Sequence, residues 1–197
     1  MVYKRQVTLV EPRLYGTYRD GKFSLGSLDP LVFGPSESPA GLPNLNLTIR
    51  DGRGLIETDY GPVGLKIAGT GLVSHGWDGT LAALAPGLAL PGCEAGRTSA
   101  YGKLTSTSGE PQFSGPVRLA SLVCEDQALT LDDYALDLTV AADTRLANPA
   151  IEARLEGGET HYAGNTASAI MGTVRAQMRD RLTTAKYSLA ARGVDTP

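Results

Sequence analysis

The side chains that could support catalysis occur in a few short groups along the chain. Glu125-Asp126 and Asp132-Asp133 are adjacent carboxylates, the residue type that general acid–base chemistry uses. Adjacent residues of a strand point to opposite sides of a sheet, so such neighbours would not act together on one substrate. Ser106 begins a hydroxyl-rich run, but no histidine lies near it in the sequence to activate a nucleophile. The sequence therefore predicts no catalytic residue, no enzyme activity and no cofactor.

Metal chemistry has little support in the sequence. The two histidines, His75 and His161, are far apart, and the two cysteines, Cys93 and Cys124, form no CxxC pair. No zinc site or other metal site is predicted from this arrangement. The cysteines have two interpretations, a disulfide formed in an oxidising compartment or two unrelated buried thiols. A disulfide would stabilise the fold by roughly 3–4 kcal/mol in the chain-entropy model.

Composition and charge narrow the class of protein. The formal net charge is −3, from 18 basic and 21 acidic residues, so no basic field attracts nucleic acid or an anionic bilayer. The apolar share of 42% is ordinary for a folded domain. Glycine makes up 24 of the 197 residues, well above the usual ~7%, which indicates many short strands separated by tight turns.

The ends of the chain predict a piece of a longer protein. The opening residues, Met1 to Val7, look like the middle of a strand, and neither a signal peptide nor a membrane span is visible. We expect residues 1–197 to form a single β-rich segment of a larger protein. The four prolines between Pro30 and Pro43 predict a loop at 30–43.

Alternation of apolar and polar residues is the dominant pattern. It is clearest over Leu45 to Arg50, Val63 to Ala68 and Tyr134 to Val140. A period of two predicts strands of an antiparallel sheet with one covered side. Asp51-Gly52 is predicted to form a turn after the first of these strands. No rhythm of strand and helix is present, which disfavours doubly wound folds.

The apolar residues of segment 166–182 fit both the period of a helix and the period of a strand. Ile170, Val174 and Met178 follow helical spacing, and they also alternate as they would in a strand. A helix would hold Gly172 and Thr173 in its interior, where each is unfavourable. A strand is therefore the preferred prediction.

A glycine cluster at Gly61, Gly64, Gly69 and Gly71 is a weak imitation of a phosphate-binding loop. It lacks the lysine and the following helix that such loops require. A bend or bulge in a strongly twisted sheet is the preferred interpretation.

The apolar stripes allow two folds. One is an all-β, extended and twisted antiparallel sheet that curls into an open groove, whose apolar side takes acyl chains. The alternative is a β-sandwich, which would serve as a structural or adhesive module binding protein or sugar. The candidate groove-lining residues are Leu45, Leu47, Ile49, Val63, Leu65, Ile67, Leu136, Leu138 and Val140.

Several phrases resemble AsmA-like envelope proteins. Arg13-Leu14-Tyr15-Gly16, followed by the segment from Asp20 to Asp29, resembles the recurring turn and strand pair of that family. The stretch from Leu42 to Ala82 is similar to the YdbH-type branch, and Gly92-Cys93 and Leu122-Val123-Cys124 fit that branch too.

The resemblance implies a periplasmic lipid-transfer role. Members of the family carry an inner-membrane anchor and a long periplasmic β-sheet curled into a groove, and they are linked to phospholipid movement towards the outer membrane. A small outer-membrane lipoprotein partners the YdbH type. The expected ligand is therefore phospholipid, and no nucleic-acid partner is expected. The anchor is expected in the full-length protein and is absent from this chain.

Overall fold

A computed structural model describes residues 6–20, 22–26, 29, 44–106, 110–142, 148–179 and 182–196. The predicted loop at 30–43 lies outside the described residues. The regular structure of the described parts is nearly all β, with one 3₁₀ turn at Glu125–Gln127. The all-β prediction is therefore confirmed.

Fifteen strands occur in the described parts of the chain. Their bounds are β1 Gln6–Val10, β2 Arg13–Arg19, β3 Lys22–Ser24, β4 Asn46–Thr58, β5 Gly61–Leu72, β6 Asp78–Ala85, β7 Leu88–Leu90, β8 Cys93–Ala95, β9 Thr98–Thr105, β10 Gln112–Cys124, β11 Leu129–Ala141, β12 Ala150–Gly157, β13 Thr160–Tyr162, β14 Asn165–Arg179 and β15 Leu182–Asp195.

All the strands belong to one twisted sheet that does not close into a barrel. From β4 onward the long strands follow the order β4-β5-β6-β9-β10-β11-β12-β14-β15, and every neighbouring pair is antiparallel. β1 and β2 both pair with β4 in parallel. The sheet is therefore mixed, whereas the sequence predicts a purely antiparallel sheet. Both parallel strands lie at one edge of the sheet, beside β4.

The predicted turn at Asp51-Gly52 is wrong. These residues lie inside β4, where Arg50 and Asp51 together oppose the single residue Ala68 of β5. Asp51 adopts a φ of 49°, a left-handed conformation that aspartate tolerates better than most residues. The result is a β-bulge, which bends and twists the strand without ending it.

The bulge changes which side of the sheet the later residues of β4 occupy. Before the bulge, the odd-numbered residues Leu47 and Ile49 lie on one side of the sheet. After the bulge, the even-numbered residue Ile56 lies on that same side, opposite Val63. Without the extra residue Ile56 would point to the other side, because side chains alternate strictly along a strand. The bulge therefore keeps one side of β4 apolar along its whole length.

The described part of the segment 166–182 is strand, as preferred; residues 180 and 181 lie outside the described residues. Most of it belongs to β14, which forms a hairpin with β15. Gly172 lies opposite Leu155 of β12 and Leu189 of β15. A glycine between two leucines leaves room for both side chains, which is a reason for this residue in the strand interior.

A short hairpin, β7–β8, fills a gap at one end of the sheet. β6 and β9 end before their neighbours, and the hairpin lies between β5 and β10 beyond them. The Ala89 N–H donates to the Tyr60 carbonyl over 2.8 Å, while Ala95 pairs with Leu122 of β10. A disulfide joins Cys93 to Cys124 at the end of β10. The hairpin is therefore held to β10 by two paired residues and one covalent bond.

The sheet forms a single layer in the described part of the chain. Every pair of strands in substantial contact is hydrogen-bonded, apart from β5 with β7. The accessible surface is 13397 Å², whereas a compact monomer of 20.6 kDa exposes about 8,900 Å². The described residues do not form the two packed sheets of the alternative β-sandwich.

Candidate functional site

Cross-strand pairing brings the apolar residues of many strands to one side of the sheet. Residues that oppose each other in neighbouring strands share a side, so the register can be followed across the sheet. One row, for example, runs from Leu65 through Ala83, Ala100 and Val117 to Leu136. Further rows lie beside it on the same side, from the row of Leu47 in β4 to the row that ends at Ala191 in β15. We call these rows together the apolar face.

The apolar face includes nearly all the predicted groove-lining residues. Leu47, Ile49, Val63, Leu65, Ile67, Leu136, Leu138 and Val140 all belong to it. Leu45 lies just before β4, where its carbonyl oxygen accepts a hydrogen bond from the Val73 N–H over 2.9 Å. The structure also adds residues that the sequence prediction did not include, namely Leu81, Leu104, Phe113, Val117, Leu119, Ile151, Leu155, Ile170, Val174, Tyr187 and Leu189.

Charge separates the two sides of the sheet. Among the described residues in these rows, the apolar face carries no Asp, Glu, Lys, Arg or His. Charged residues of the same strands that lie between these rows are on the opposite side, which we call the polar face. They include Arg53, Glu57, Lys66, Asp78, Lys103, Arg118, Asp137, Glu152, Arg154, Glu156, Arg175 and Lys186; Asp132, which pairs with Ser121 beyond these rows, is not among them.

The apolar face is only partly shielded from solvent. Leu65, Leu136 and Leu138 are intermediate in exposure, although leucines in a closed core are usually fully buried. Near the β15 edge the exposure rises, and the side chains of Tyr187 and Leu189 are 74% and 54% exposed. Within the described residues no second layer covers this face, so its large side chains shield only one another.

Paired glycines let β9 and β10 approach each other closely on the apolar face. Gly102 of β9 and Gly115 of β10 both belong to the apolar side. A Cβ built on Gly115 would lie 2.6 Å from the Gly102 Cα and would collide with the Tyr101 carbonyl oxygen. Backbones this close on one side mean that the two strands fold towards each other there. The adjacent Pro116, which has no N–H, lies where the β9–β10 ladder is interrupted.

Adding a methyl group at this close approach is expected to destabilise the fold. We expect Gly115→Ala to lower the free energy of unfolding by about 2–3 kcal/mol, because the neighbouring backbone must move. Gly54→Ala is the matched control on the same face, where a Cβ would lie at ordinary distances, 3.5 Å from the Leu14 carbonyl oxygen. We expect the control to change stability by less than about 1 kcal/mol. Urea unfolding of both variants tests this, and equal effects would contradict the close approach.

A second glycine group holds Trp77 against the sheet. The indole ring lies over Gly69 and Gly79, where a Cβ on either would approach ring carbons to 2.5 Å. The ring is 6% exposed, and the backbone N–H of Trp77 donates to the Ser106 Oγ over 3.0 Å. Part of the glycine cluster therefore makes room for an aromatic ring, a role that the sequence pattern alone did not indicate.

The residue types suited to catalysis do not converge in the described structure. Glu125 and Asp126 lie in the 3₁₀ turn, while Asp132 pairs with Ser121 inside the sheet. His161 contacts Glu159 at an exposed position, with 3.0 Å between Nε2 and Oε1. The absence of enzyme activity stays a prediction.

Neither a metal-binding cluster nor a membrane-spanning helix is found among the described residues. No cluster of three or more His, Cys, Asp or Glu suited to a metal ion occurs among the described residues. Over the same parts of the chain, no helix has the length and hydropathy needed to cross a bilayer.

Comparison with known proteins adds no identification: no family model, no curated protein and no solved structure matches this chain.

Proposed function

We propose that this chain is a periplasmic segment of a lipid-transfer bridge, whose apolar face binds phospholipid acyl chains between the inner and outer membranes. The observation that carries the proposal is the uncovered apolar face, which has no charged residue among its described positions. Exposed apolar patches larger than a few hundred Å² mark binding surfaces in soluble proteins. Acyl chains would supply the cover that the protein lacks.

The dimensions of the apolar face suit hydrocarbon chains. Its rows run across the strands from β4 to β15, a distance of about 40 Å at the usual strand spacing. That distance exceeds the ~30 Å hydrocarbon thickness of a bilayer, so a whole acyl chain fits along a row. Each methylene moved from water to such a surface contributes about 0.8 kcal/mol, so a bound tail would be held firmly. Headgroups would remain in water at the margins of the sheet.

The close approach of Gly102 and Gly115 favours acyl chains over a second sheet as the occupant. Two packed sheets need extended, complementary faces about 10 Å apart. A face interrupted by such a close approach offers no extended surface there, whereas a flexible hydrocarbon chain can follow an uneven one. The small residues beside it, such as Ala83 and Ala100, leave additional room on that face.

The disulfide and the family resemblance support the periplasmic location. Disulfides persist in oxidising compartments such as the bacterial periplasm and are rare in the cytosol. The AsmA-like sequence phrases imply the same compartment, with an inner-membrane anchor elsewhere in the full-length protein and a small outer-membrane lipoprotein as partner.

Lipid extraction tests the proposal directly. The chain would be exported to a bacterial periplasm, purified without detergent, and extracted with organic solvent for mass spectrometry. We expect phospholipid to co-purify in stoichiometric amount and to exchange with labelled lipid from vesicles. A lipid-free protein that also takes up no lipid from vesicles would contradict the proposal and leave a structural or adhesive role.

A further inference from the structure

Trp77 places its indole ring on the apolar face, at one margin of the sheet. It directly precedes β6, next to the last residues of β5 and β9. Gly69 and Gly79 lie in the row of the apolar face that runs from Ile49 to Leu104. The ring carbons Cζ2 and Cη2 of Trp77 occupy the space beside these two glycines that a Cβ would take on the same side. The ring therefore belongs to the apolar face, close to where the strands end.

Ser106 fixes the backbone that carries this ring. The Trp77 N–H donates to the Ser106 Oγ over 3.0 Å, and the Ser106 N–H donates to the Trp77 carbonyl oxygen over 3.0 Å. The Gly76 N–H donates to the same Oγ over 3.3 Å. Ser106 is itself buried, so water does not compete for these hydrogen bonds. The indole is therefore presented from a fixed position.

The indole N–H is a buried donor that has no hydrogen-bond partner in the described structure. The Trp77 side chain is 6% exposed, and no other buried side-chain nitrogen or oxygen among the described residues lacks a partner. An indole N–H can only donate, and a buried donor without an acceptor is destabilising. A phenylalanine could fill an apolar position without this penalty. The N–H therefore points to an acceptor that binds on the apolar face.

The surroundings of Trp77 favour an uncharged acceptor. In its described rows the apolar face carries no lysine, arginine or histidine, so a phosphate would lose water there without gaining a counter-ion. A neutral carbonyl oxygen is far less costly to desolvate. In a phospholipid the ester carbonyls lie between the acyl chains and the headgroup. With the chains on the apolar face and the headgroup in water at the sheet margin, an ester carbonyl would lie beside Trp77.

We propose that the Trp77 Nε1–H donates a hydrogen bond to an ester carbonyl oxygen of a bound diacyl phospholipid, and so positions its acyl chains on the apolar face. This hydrogen bond presupposes the lipid binding proposed above, and it names the chemical group that the face recognises. In the described residues no second layer lies over Trp77, so the carbonyl reaches the N–H through a movement of side chains alone. Tryptophans at membrane interfaces combine an apolar ring and a polar N–H in the same way.

Ester and ether lipids distinguish this hydrogen bond from general lipid binding. Diheptanoyl phosphatidylcholine and its dialkyl ether analogue share a headgroup and a chain length, but only the ester has carbonyl oxygens. In isothermal titration calorimetry we expect the wild-type chain to bind the ester about fivefold more tightly. Trp77→Phe keeps an aromatic ring without the donor, so it should bind both lipids equally. Tyr101→Phe removes an exposed hydroxyl from the polar face and is the control, which should keep the wild-type preference.

The possible results separate the role of Trp77 from lipid binding itself. Equal affinity of the wild type for both lipids, or an ester preference that persists in Trp77→Phe, would overturn the hydrogen bond and leave lipid binding intact. If the wild type bound neither lipid, lipid binding and the role of Trp77 would both be refuted.

The fluorescence of Trp77 gives a second test that needs no variant, because it is the only tryptophan in the chain. Phospholipids would carry bromine atoms, which quench indole fluorescence, either close to the ester carbonyl or near the methyl end of an acyl chain. We expect stronger quenching by the bromines close to the carbonyl. Stronger quenching by the distal bromines would place the end of the tail at Trp77 and contradict the proposal.

Discussion

Leu138→Glu is expected to remove bound phospholipid from the purified chain almost completely. Leu138 lies near the centre of the apolar face, between Gly115 of β10 and Ala153 of β12. An acyl chain bound over this position would remove water from the carboxylate, and this desolvation costs several kcal/mol. We therefore expect lipid recovered by mass spectrometry to fall more than tenfold.

The stability of the same variant separates an open face from a closed core. Leu138 is already partly exposed, and no second layer packs on it in the described structure. In the lipid-free protein we expect Leu138→Glu to cost no more than about 1 kcal/mol, as for a surface substitution. An unpaired charge buried in a closed core would cost about 3–5 kcal/mol instead.

Ser114→Glu is the matched control for the lipid experiment. Ser114 lies beside Gly115 in the chain but on the polar face, opposite Lys103 of β9. The added carboxylate is therefore accommodated beside a cation, and we expect lipid content to stay at the wild-type level. Equal loss of lipid in both variants would mean that net charge, and not the apolar face, controls lipid binding.

Removal of the disulfide is expected to have the largest effect on stability. The bond closes a loop with a sequence separation of 31, which corresponds to about 4 kcal/mol in the chain-entropy model. Typical domains have only 5–15 kcal/mol in total, so the double variant Cys93→Ala/Cys124→Ala would lose a large fraction of its stability. Urea unfolding of the oxidised wild type and the double variant measures the difference.

The loss should be greatest at the β7–β8 hairpin. Each of its strands has 3 residues, and isolated hairpins of that size are unstable in water. We expect amide hydrogen exchange over 88–95 to become fast in the double variant, while the β4–β5 pair stays protected. The single variant Cys93→Ala is the control for the cross-link, and it should match the double variant. Unchanged protection over 88–95 would show that the two paired residues suffice to hold the hairpin.

Parts of the fold could be predicted because they depend on near neighbours in the chain. Alternation at Val63–Ile67 and Tyr134–Val140 identified strands, since side chains alternate along any extended backbone. The strand at 170–178 was preferred for a similar reason, because Gly172 disfavours a helix. The turn at Asp51-Gly52 failed because the same dipeptide suits both a hairpin turn and a bulge, and only the partner strand distinguishes them.

The sequence by itself determined that each strand has one apolar and one polar side, and that the cysteines could be joined. Only the tertiary structure decided that the apolar sides of β4 through β15 all lie on one face, which no second layer covers in the described residues. The physical reason is register. A shift of one residue between two strands moves a whole set of side chains to the other side, and register is set by pairing between distant segments. The bulge at Asp51 and the approach of Gly102 to Gly115 are products of that pairing.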